Sequence, residues 1–183
     1  GGRDPGQRFG FDSGGGTGAA APSGAQKYER GDLYPGSAPI DEALAPTGAD
    51  EIGITNEDLD RFEQLLAEIQ AAFTREDYAG LRERCTPEIV SYLSEELSQN
   101  AVNGLRNEVL DVHLLQGDIA ESWREDDEEY ATVAMHYESI DVMRDRQSGD
   151  IVEGDLHPTE TTEVWTFVRP AGGQWKLSAI QDV

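Results

Sequence analysis

The chain has 183 residues, and its 37 acidic side chains against 14 basic ones give a formal net charge of −23. A field of that sign repels phosphate backbones and anionic lipid headgroups, so nucleic acid is not expected as a partner. One cysteine excludes an internal disulfide, and no apolar run is long enough to span a membrane as a helix.

Residues 1–53 carry little apolar periodicity. The stretch "GFDSGGGTGAAAPSGA" cannot bury enough surface to offset its ordering entropy, so residues 1–53 read as a disordered Gly/Ala/Pro-rich tether. Residues 54–183 read as one folded domain, and they hold 29 acids against 10 bases. "GGRDPG" resembles the interior of a longer protein, which leaves room for a membrane anchor upstream of Gly1.

Helical spacing starts at Thr55, a cap residue with Asp58 three positions on as its capping-box partner. Leu59, Phe62, Leu66, Ile69 and Phe73 then fall on one face, and the helix is expected to end near Thr74. A short second helix is expected over residues 77–84. Thr86 and Pro87 open a third, whose stripe is Ile89, Val90, Leu93, Leu97, Ala101 and Val102, with Asn103-Gly104 as its stop.

Past Gly104 the period changes to two. "NEVLDVHLL" places Leu110, Val112 and Leu114 on one face, with Val109, Asp111, His113 and Leu115 on the other. "SWREDDEEY" is read as a solvated loop. A long strand follows with Ala131, Val133, Met135 and Tyr137 on one face, then a strand with Thr161, Glu163, Trp165 and Phe167 together, then "QWKLSAIQ". Three helices before about four strands joined by short turns predict an α+β fold. The helices are expected on one face of a curved, mostly antiparallel four-stranded sheet that twist rolls into a cone.

The blocks "FEQLLAEIQAAFTREDYAGLRERCTPEIVSYL", "VWTFVR" and "WKLSAIQ", in that order across residues 55–182, resemble the C-terminal domain of the Tim44 family. That family comprises a mitochondrial inner-membrane import-motor subunit and bacterial relatives. The resemblance implies a fold similar to nuclear transport factor two, with an apolar pocket inside the cone. It also implies a membrane-anchored or membrane-peripheral adaptor role, with the bacterial inner membrane favoured. The strong acidity departs from the anionic-lipid binding of the mitochondrial members.

Cys85 falls on the apolar side of a helix junction and reads as packing, since free cysteine is among the most buried residues. His113, His136 and His157 have no spacing that compels a triad or a zinc site. No catalytic residue, metal ligand or cofactor site is expected. Phe73, Tyr92, Tyr137, Glu163, Trp165 and Phe167 are the candidate pocket-lining set, with core filling as the other reading. If Glu163 lines a pocket, burial raises its pKa, and Tyr92 or Tyr137 is placed to hydrogen-bond a carbonyl. That is the isomerase or dehydratase alternative on the same cone. The favoured function is a non-enzymatic adaptor for protein partners, chiefly their basic segments, in translocation or membrane-protein biogenesis. A lipid or other apolar ligand in the pocket is the alternative occupant, and the domain is expected to be a monomer or a weak dimer.

Overall fold

A computed structural model describes residues 50–183. The expected tether lies outside the described residues up to residue 49. Its last four residues are described and touch the domain. Glu51 donates from its backbone amide to the Ser122 carbonyl at 3.1 Å, and the Ser122 hydroxyl donates to the Asp50 carboxylate. Asp50 also accepts from the Gly53 and Ile54 amides, and Ile52 and Ile54 pack against the core.

Three helices precede five strands in the described residues. Helix α1 (Asn56–Thr74) opens with the expected capping box, the Asp58 amide donating to Thr55 Oγ1 and the Thr55 amide to Asp58 Oδ2. Its buried stripe is Phe62, Leu65, Leu66, Ile69, Ala72 and Phe73. Glu76, at φ 56°, turns the chain, and Arg146 and Arg106 both pair with its carboxylate there. Helix α2 (Tyr78–Arg84) starts at Asp77, whose side chain caps the Gly80 amide at 3.0 Å. Helix α3 (Pro87–Val102) buries Ile89, Leu93 and Leu97 and ends at Asn103 and Gly104, the latter at φ 71°. Thr86 occupies its N-cap position, but its hydroxyl makes no capping bond. Pro87 already removes one donor that a cap would serve.

The sheet is antiparallel, in the order β1 (Leu105–Glu125), β2 (Glu128–Asp145), β4 (Thr159–Pro170), β5 (Lys176–Asp182). A short β3 (Ile151–Glu153), absent from the sequence-based expectation, extends the β2 edge beyond β4. Three residues flanked by turns leave no periodicity to read. The "SWREDDEEY" segment is not a loop. Strand pairing runs to Glu125 and resumes at Glu128, leaving Asp126 and Asp127 as a two-residue turn with Asp126 at φ 54°. Aspartate tolerates that left-handed geometry, so an acidic run can serve as a tight hairpin. Trp123 and Tyr130, cross-strand partners beside the turn, stack with ring centres 5.1 Å apart.

Strand β1 departs from simple alternation. Register shifts occur after Leu110, Leu114 and Ile119, and Asp111 sits at φ 50°. The bulge at Asp111 switches phase, so the buried Val109, and not Leu110, which is 36% exposed, shares a side with Val112 and Leu114, contrary to the grouping read from alternation. Val112 and Leu114 then return to the core side. On β2 and β4 the assigned faces hold. Ala131, Val133, Met135 and Tyr137 meet Phe167, Trp165, Glu163 and Thr161 in register, and all four β2 residues enter the core beneath the helices.

Candidate functional site

Register brings together most of the side chains singled out in the sequence. Phe73 from α1, Tyr137 from β2, and Trp165 and Phe167 from β4 all have 0% exposure in one apolar cluster, with Tyr92 half-buried against it. Glu163, also 0% exposed, lies opposite Met135 and between Tyr137 and Trp165. The Tyr137 hydroxyl donates to Glu163 Oε1, and the Trp165 indole donates to the same oxygen at 3.2 Å. A buried carboxyl is costly unless donors meet it, and here a phenol and an indole do so. On β5 the register partner of Glu163 is Asp182, whose carboxyl pKa is raised by burial. Chemically the trio holds a carboxyl in a fixed orientation among aromatic rings.

A second polar network, not anticipated from the sequence, ties the start of α1 to the sheet beside the β1–β2 turn. Asp58 Oδ1 accepts from Trp175 Nε1 at 3.0 Å and from Arg169 Nη1 at 3.2 Å. Arg169 Nε donates to Glu129 Oε1 at 2.9 Å, and Arg124 donates to the other Glu129 oxygen at 2.6 Å. The Arg169 guanidinium lies 4.3 Å above the Trp175 ring, a cation–π contact. Phe62 stacks on Phe167 at 4.4 Å and meets Trp175 edge-on at 5.0 Å just beneath. Burial opposes the charge on Asp58, but the Thr55 amide, the Trp175 indole and Arg169 together hold its carboxyl below the usual range. The Arg124 hydrogen bond, set against burial and joined by Arg169, does the same for Glu129. Because these partners lie far apart along the chain, sequence spacing carried no signal for the network.

Cys85 is 1% exposed, and burial pushes its thiol up to about 12, only partly offset by Arg84 and Lys176. Its backbone bridges to Leu177, and the following Thr86 amide donates to the Leu177 carbonyl at 2.9 Å. The residue therefore docks the α2–α3 junction onto β5, as a protonated apolar side chain. His136 Nδ1 meets Thr162 Oγ1 at 2.8 Å and its Nε2 meets Glu160 at 3.1 Å, on the sheet face away from the helices. His157 is exposed in the turn before β4. No metal-ligating cluster forms among the described residues.

Outside the core, a cavity of about 440 Å³ opens between α1 and β1. Its lining is Asp60, Glu63, Gln64, Leu66, Ala67, Val112, His113 and Leu114. Of the α1 members, Leu66 belongs to the apolar stripe and the others flank it, a spacing visible in the sequence. The β1 members reach the cavity only because the bulge at Asp111 re-aims them, which the sequence did not signal.

The profile of the family described as Tim44-like domain matches residues 41–182 of the chain. No curated protein matches the sequence. Several solved structures are similar. The intermembrane-space region of chloroplast protein ARC6 is 11% identical, covers 67% of this chain and 95% of its own, and gives a TM-score of 0.42. A ketosteroid isomerase-like protein from Erwinia carotovora atroseptica is 16% identical, with coverage of 69% and 95% and a TM-score of 0.39. A protein of the NTF2-like family from Streptomyces avermitilis is 16% identical, with coverage of 70% and 99% and a TM-score of 0.33.

Proposed function

Because the chain belongs to the Tim44-like domain family, by a match running from residue 41 to residue 182, we propose that it is a non-enzymatic adaptor domain acting in membrane-associated protein translocation or membrane-protein biogenesis. Its partners are proteins that offer basic segments. The family match is the observation that carries this reading, and the net charge of −23 supports the choice of partner. Eight of the ten bases in residues 54–183 (Arg61, Arg75, Arg84, Arg106, Arg124, Arg144, Arg146 and Arg169) are already engaged in internal ion pairs. The 29 acids of residues 54–183 far outnumber the ten bases, and such a field speeds the encounter with cationic segments. No helix of the described residues is long and apolar enough to cross a membrane, so the adaptor reading places membrane attachment elsewhere, in an anchor or in a membrane-bound partner.

The residues Phe73, Tyr92, Tyr137, Glu163, Trp165 and Phe167 form packed core between the helices and the sheet in this reading. Their role is to hold the helices on the sheet. The hydrogen-bonded Glu163, Tyr137 and Trp165 trio favours the isomerase-type alternative in its chemistry. The complete burial of all three side chains favours the adaptor reading, since a general acid must come within hydrogen-bond reach of its substrate.

Affinity capture of the tagged chain from detergent-solubilised membranes, washed at low and at high salt, tests the proposal. Membrane-associated partners with basic segments, lost from the capture at high salt, are the expected outcome. Recovery of no membrane-associated or basic partner overturns it.

A further inference from the structure

The groove between α1 and β1 has a floor, a rim and a sign. Ala67, Val112 and Leu114 supply apolar surface over the buried Leu66, Asp60 and Glu63 line the α1 side, and His113 sits across on β1. Arg61, the one base within α1, is held by Glu68 at 2.8 Å and donates to Gln64 at 3.3 Å, so Asp60 and Glu63 together leave this side with a surplus of negative charge. A volume of about 440 Å³ falls within the range of about 300–1,000 Å³ typical of ligand sites.

We propose that this groove is the docking site for a basic amphipathic segment of a partner protein, its apolar side chains seated on Ala67, Val112 and Leu114 and its Lys or Arg side chains meeting Asp60 and Glu63. The proposal rests on the adaptor reading above and gives it a location. Charge selects this occupant over the others. A second copy of the chain would bring another −23 to an already acidic surface, and an anionic lipid headgroup meets the same repulsion. A cationic segment gains from the acidic rim while its apolar face covers surface that water now wets. The bulge at Asp111 is the structural device behind the groove. It shifts the phase of β1, so that Val112, His113 and Leu114 reach the space beside α1.

The test uses the full 183-residue chain and a fluorescein-labelled synthetic 15-residue peptide with Leu and Lys at helical spacing, read by anisotropy at low and at high salt. The groove pair Asp60→Lys/Glu63→Lys is compared with Glu95→Lys/Asp155→Lys, which changes net charge equally at exposed positions away from the groove. A third variant, Ala67→Trp, fills the groove at an exposed position without changing charge. The groove pair is expected to weaken binding at least about tenfold and the distant pair less than about threefold. Ala67→Trp is expected to weaken it about tenfold at both salt concentrations. In the wild-type chain, the methyl resonances of Val112 and Leu114 are expected to shift on titration with peptide. Equal losses from the two charge pairs, with Ala67→Trp and the methyl resonances unchanged, overturn the groove and leave the adaptor reading standing. No binding of the peptide at any salt concentration overturns both.

Discussion

Replacing Asp58 with alanine is expected to unfold the chain at a far lower urea concentration than its position on a helix would suggest. Three interactions are lost together. The Thr55 amide loses its acceptor in the capping box, worth about 1 kcal/mol. The Trp175 indole, on a residue only 4% exposed, loses its acceptor, and a buried donor left unmet costs about 1–3 kcal/mol. Arg169 keeps Glu129, so the broken ion pair adds about 0.5 kcal/mol. The sum is about 3 kcal/mol. With a urea m-value of about 2 kcal/mol/M, the midpoint is expected to fall by about 1.5 M. Asp60→Ala, two residues along the same helix and exposed, is expected to stay within about 0.5 kcal/mol of wild type. The Asp58→Ala/Trp175→Phe double variant is expected to show a coupling of at least about 1 kcal/mol. The pH dependence follows from the lowered carboxyl of Asp58. Its contribution is fully present above the unfolded value of 3.8 and fades as pH falls through the lower folded value, so wild type and Asp58→Asn are expected to converge in stability at acid pH. A midpoint shift below about 0.5 M for Asp58→Ala, with no coupling to Trp175, refutes the proposed network.

Cys85 is expected to resist a disulfide-exchange reagent in the native chain at neutral pH and to react promptly once urea unfolds it, because the thiol is buried and fully protonated. A thiol raised from 9.0 to about 12 binds its proton more tightly when folded, so its contribution to stability holds below pH 9 and is lost as pH climbs above it. Native-state labelling as fast as that of a free peptide thiol would contradict this placement. Gly154→Ala is expected to cost about 1–3 kcal/mol in urea melts, because the added Cβ would lie 2.6 Å from the Asp141 carbonyl oxygen at φ +77°. A neutral result there would mean that the β3 turn adjusts freely.

Much of the architecture was legible along the chain because its causes are local. The Thr55–Asp58 box, the α1 stripe and the Asn103-Gly104 stop each depend on residues within a few positions of one another, and all three appear in the structure. The alternation on β2 and β4 likewise identified the two sets of inward-facing side chains. On β1 it grouped Val112 with Leu114 correctly but misplaced Val109 and Leu110, because one residue in a left-handed conformation at Asp111 shifts the phase, and it failed at the acidic hairpin, where composition suggested solvent and backbone geometry made a turn.

What the sequence determined by itself is the order of elements, their faces and the sign of the field around them, since periodicity and charge are properties of neighbouring residues. Only the tertiary structure decided which faces meet. Tyr137 and Glu163 lie 26 residues apart, and Asp58 and Trp175 lie 117 apart, so strand register and helix docking brought them within hydrogen-bond reach. The groove beside α1 arises in the same way, because it is a space between two elements and no single stretch of chain encodes a space.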